Sequence, residues 1–151
     1  MLFRSDIKPA NILIEQQRNR PLIGDFGIAQ TLQAGNSSEG TIVGSPLYIA
    51  PESVGGGEVD WRADIYSVAV ILYRLLCGTL PLATREPMAL LAAKMESPDR
   101  VFTVSPSRAS PLIDRTLEEI LLQGLAPTPR QRYQSCAEFE AALMEWERSS
   151  R

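Results

Sequence analysis

Residues 62–77 are apolar nearly all round, and this limits the possible folds more than any other feature of the chain. A helix without a polar stripe cannot lie on a surface and has to be wrapped by other elements. Gly78 followed by Pro81 marks its end. Candidate covering helices lie at residues 87–95, at 110–125 with Ser110 as N-cap and Pro111 at the first helical position, and at 135–146. The last opens with Ser135 and Glu138 spaced as a capping box. Ahead of them, residues 12–14 and 21–23 are short β-prone runs separated by a polar stretch, which reads as a small hairpin. Residues 27–57 are rich in Gly, Ser, Thr and Pro without a sustained period, a long loop of the kind compact domains keep for function. The expected class is α+β, mostly α: one helical domain over residues 1–151 carrying a small hairpin.

Composition narrows what such a domain can do. With 151 residues, 44% of them hydrophobic and 22% charged, the chain can bury one sizeable core. A net charge of −3 supplies no basic field, so neither nucleic acid nor an anionic membrane is an expected partner. The longest apolar run, within residues 65–76, falls well short of the ~20 residues that span a bilayer. Met1 is followed by no signal-peptide pattern. The expectation is a soluble cytoplasmic protein with no membrane segment in this chain. Cys77 and Cys136 fall in separate expected helices, and no histidine is present to complete a zinc site, so two reduced, packed thiols are expected.

The most specific segment is Asp6-Ile7-Lys8-Pro9-Ala10-Asn11, with an acid, a base and an amide at fixed offsets just before the first strand. It resembles the catalytic loop of protein kinases. The resemblance implies that Asp6 orients and deprotonates the attacking hydroxyl, Lys8 offsets charge on the moving phosphoryl group, and Asn11 binds metal. Asp25-Phe26-Gly27 follows the second strand and matches the D-F-G motif, whose aspartate holds Mg²⁺. A tripeptide alone is weak evidence; its position one hairpin after the catalytic loop supplies the specificity. The hairpin brings Asn11 and Asp25 toward each other, where two oxygen ligands could share Mg²⁺ with the phosphates of ATP. Leu13 would lie under the adenine ring.

The loop closes at Gly44-Ser45-Pro46-Leu47-Tyr48-Ile49-Ala50-Pro51-Glu52, similar to the family's activation segment with its A-P-E end. The hydroxyl at the Ser45 position implies serine and threonine acceptors in a protein substrate. Asp64 sits where a family aspartate bonds the catalytic-loop backbone, and Pro129 with Arg132 resemble a late P-x-x-R whose arginine pairs with the A-P-E glutamate, here Glu52. These ordered matches run from Asp6 to Arg132 and look most like the C-terminal lobe of bacterial serine/threonine protein kinases.

Two departures qualify the resemblance. Arg4-Ser5 stands where the family has His-Arg, and Ser5 cannot make an arginine's bidentate contact with phosphate. Activity independent of phosphorylation at Ser37, Ser38 and Thr41 is therefore expected of a complete domain. Moreover, only residues 1–5 precede the catalytic loop, whereas the family's Gly-rich loop, strand lysine and adenine hinge lie ahead of it. The reading is a partial kinase domain with its N-terminal lobe missing, inactive alone and completed by an N-lobe polypeptide. The alternative is a non-catalytic docking lobe or pseudokinase remnant.

Overall fold

The computed structural model describes residues 7–24, 46–54, 58–82, 84–97 and 104–150. Among the described residues, a two-stranded hairpin, β1 (Ile12–Glu15) and β2 (Arg20–Ile23), precedes six α-helices: α1 (Pro51–Val54), α2 (Arg62–Cys77), α3 (Pro87–Glu96), α4 (Pro106–Ala109), α5 (Arg115–Gly124) and α6 (Cys136–Ser149). The mostly helical α+β class expected from the sequence is the one observed.

The central helix α2 keeps its expected limits. Before its first turn, the Asp60 carboxylate accepts the Arg62 N–H at 2.9 Å and is also bonded by the Arg62 guanidinium, which holds its pKa below the ordinary carboxylate value. At the far end Gly78 takes φ 69°, and its N–H donates to the Arg74 carbonyl at 2.9 Å. Only glycine adopts this left-handed geometry without strain. Tyr66, Ala69 and Val70 are wholly buried and centre the main core, with Ile65, Tyr73, Ile120, Leu125 and Phe139 around them. The burial is not complete all round: Val68 and Leu75, two turns apart on one face, remain exposed.

α5 packs against α2 so closely that a Cβ added to Gly124 would stand 2.9 Å from the Ala69 Cβ. Ile113, Leu117 and Leu121 form a second cluster, joined to the first through Leu72, Cys77 and Trp146. The expectation of one helix over residues 110–125 is corrected here. Ser110 instead ends the short α4, and α5 starts five residues later, capped by Asp114, whose carboxylate accepts the Leu117 N–H at 2.8 Å. A carboxylate cap serves the orphan N–H groups and also complements the helix dipole, and this one additionally receives the Trp146 indole N–H at 2.8 Å.

α6 has its expected Ser135 cap, which accepts the Glu138 N–H at 3.1 Å. The return bond of the box shifts by one residue, because Glu138 accepts from the Gln134 N–H at 2.8 Å. Both cysteines are free thiols, but Cys136 is exposed, not packed, since it opens α6 on its solvent side. The hairpin pairs Ile12 with Ile23 and Glu15 with Arg20, and Asn19 in its turn takes φ 49°, a conformation asparagine tolerates.

Candidate functional site

Ile7 pins the start of the site to the main core. From there Lys8 runs extended, and its carbonyl accepts the Asn11 N–H at 2.9 Å, closing a 3₁₀ turn over Pro9–Asn11. Proline suits the first position of that turn, because it has no N–H to leave unbonded there. Asn11 is buried at the base of β1, and its carbonyl accepts the Gly24 N–H at 2.8 Å. The antiparallel register therefore seats Asn11 against the residue that immediately precedes Asp25 in the chain. A Cβ on Gly24 would stand 3.0 Å from Cδ1 of the exposed Leu13 side chain, which would have to turn aside to admit it. Lys8, Asn11, Leu13 and Gly24 are thus gathered on one short ribbon. Asp6, Asp25 and Ser45 lie outside the described residues, as do Arg4, Ser5, Phe26, Ser37, Ser38 and Thr41.

Residues 46–49 form a turn, followed by α1. Glu52 in α1 meets Arg132 in a fork-to-fork ion pair, Nη1 to Oε1 at 2.7 Å and Nη2 to Oε2 at 2.8 Å. The remaining guanidinium protons go to the carbonyls of Ala126, Arg62 and Pro127, so all five donors are used. The guanidinium also lies 5.0 Å from the centre of the Tyr66 ring, whose hydroxyl pKa is pushed up, chiefly by burial. This pairing was legible in the sequence. Lys94 was not. It is buried on α3, donates from Nζ to the carbonyls of Pro46 at 2.8 Å and Ile49 at 2.5 Å, and stands 5.4 Å over the Tyr66 ring. Burial pulls its pKa down to about 7, against a weaker opposing pull from Glu52. The available signal was a lone cation four residues after Leu90, on the inward stripe of an otherwise apolar helix.

The class this defines is a mostly helical domain with a small hairpin at its start and a turn at residues 46–49 strapped to its core by side chains of α2 and α3. A family model for the protein kinase domain matches residues 2–146. The chain belongs to the protein kinase domain family. It is similar to the serine/threonine-protein kinase Pkn1 of Myxococcus xanthus, with 41% identity over 147 residues that cover 94% of this chain and 21% of that protein. It is also similar to the serine/threonine-protein kinase PknB of Mycolicibacterium smegmatis, 37% identical over 146 residues covering 95% of this chain and 23% of that protein. The serine/threonine-protein kinase pkn3 of Myxococcus xanthus is 32% identical over 152 residues, 94% of this chain and 27% of that protein. The chain therefore spans only a fifth to just over a quarter of these relatives' lengths. Among the described residues, no helix is long and apolar enough to cross a membrane.

Proposed function

We propose that this chain is the C-terminal-lobe part of a serine/threonine protein kinase that moves the γ-phosphate of ATP to serine and threonine hydroxyls of a protein substrate. Asp6 orients the acceptor hydroxyl and takes its proton, Lys8 offsets negative charge on the moving phosphoryl group, and Ser45 selects aliphatic hydroxyls. Leu13 lines the adenine side. The donors suit magnesium: the amide of Asn11 and the carboxylate of Asp25 are hard oxygen ligands, and Mg²⁺ takes few protein ligands and completes its shell with phosphate and water. When bound, the ion neutralises charge on the phosphates; orienting the acceptor and accepting its proton remain the work of the side chains.

The observation that carries this reading is the hairpin register, in which Asn11 accepts a hydrogen bond from Gly24, next to Asp25. Phosphoryl transfer depends on positioning and electrostatics, so the 151 residues alone are expected to be inactive until a polypeptide supplies the phosphate-gripping half. The test fuses this chain behind the N-terminal part of the Pkn1 kinase domain and follows transfer from radiolabelled ATP to a serine/threonine peptide library. Transfer that falls at least about a hundredfold in Asp6→Asn and Asp25→Asn supports the reading. A folded fusion without transfer, or transfer indifferent to both substitutions, favours a docking lobe without chemistry.

A further inference from the structure

The turn at residues 46–49 follows directly on Ser45 and is held by side chains from two helices. Ser67 Oγ on α2 donates to the Tyr48 carbonyl at 2.8 Å, and Arg74 donates to the Tyr48 hydroxyl. The Pro46 and Ile49 carbonyls both depend on Lys94 of α3. Two carbonyl oxygens three residues apart are thereby gathered on one nitrogen.

That nitrogen is an odd choice if its duty is only to fill space. Among the described residues, no carboxylate forms an ion pair with it, and the nearby Glu52 is already engaged by Arg132. An ammonium taken out of water without a carboxylate partner is costly, and an apolar side chain of similar length would pack there at no such penalty. What a methylene chain cannot do is present several N–H donors from one point and hold two carbonyls at a set separation. The Tyr66 ring, 5.4 Å from this nitrogen at its centre, adds a third contact from α2.

We propose that Lys94 is a positioning residue: its terminal amino group, donating to the Pro46 and Ile49 carbonyls, fixes the turn at residues 46–49, and with it the surface on which a serine- or threonine-bearing peptide segment docks. The docking half rests on the kinase reading above; the anchoring half does not.

The test compares Lys94→Met, which keeps the length and loses the donors, with Lys94→Gln, which restores two of them. In the 151-residue chain, amide hydrogen exchange across residues 47–50 is expected to accelerate about tenfold in Lys94→Met, less in Lys94→Gln, with α5 and α6 unchanged. In the fusion with the Pkn1 half, the peptide KM is expected to rise about tenfold while the KM for ATP stays put. Unchanged exchange at residues 47–50 overturns the anchor. Faster exchange with an unchanged peptide KM overturns the positioning role. Loss of cooperative melting in both variants would make Lys94 a folding residue and overturn the proposal. If the unmodified fusion transfers no phosphate, the kinase reading and the docking half fall together, while the exchange experiment still decides the anchor.

Discussion

Arg132 and Lys94 are both buried cations, yet the structure treats them in opposite ways. Arg132 spends every donor, two of them on a carboxylate whose side chain is itself only 11% exposed. Removing it strands Glu52, so Arg132→Met should cost ~3–5 kcal/mol, read as a lower urea midpoint with an unchanged slope. Glu52→Ala should cost a similar amount, and the double variant less than the sum, because the two share one interaction. Among the described residues, Lys94 has carbonyls and the Tyr66 ring for direct partners, with Glu52 as the charged group that acts on it. Its pKa in the folded chain is about 7, below the ordinary 10.5. Across that window the unfolded chain holds a proton that the folded chain has released, so stability should rise with pH. Denaturation from pH 6 to 10 should show this rise in the native chain and a flatter profile in Lys94→Met; equal profiles would mean Lys94 titrates as in water.

The elements carry their own tests in two glycines. At Gly124 the space is missing, since Ala69 is already at contact and Gly124→Ala must push α5 from α2 at a cost of ~1–3 kcal/mol. At Gly78 nothing lies within 4 Å, and the cost of Gly78→Ala is the left-handed backbone alone, ~1 kcal/mol. Thermal unfolding should therefore rank Gly124→Ala below Gly78→Ala. These helices also mark where local patterns suffice. Residues 62–77 announced their helix because an apolar character on nearly every side is written in composition, and Gly78 ended it by a local conformational rule. The start of α5 did not announce itself: Ser110-Pro111 and Asp114 are both acceptable openings, and Asp114 prevails with help from Trp146, thirty-two residues on.

The hairpin and the helical core differ most at the scale of the whole molecule. Leu13 and Ile14 are 59% and 56% exposed, and Leu22 and Ile23 are exposed beside them. Two strands alone are marginal, and apolar side chains open to water associate with one another. The 151-residue chain should self-associate at high concentration by light scattering, and Ile14→Thr with Leu22→Thr should reduce it. The order of chemical groups along the chain already held the hairpin, the Glu52–Arg132 partnership and the central helix. Each depends on residue type and spacing, which a linear sequence retains. Only folding decided which cation would be buried under the turn after Ser45, and where α5 would begin. Both outcomes depend on groups distant in sequence, the Pro46 and Ile49 carbonyls meeting Lys94 and the Trp146 indole meeting Asp114, and such distances exist only once the chain has closed on itself.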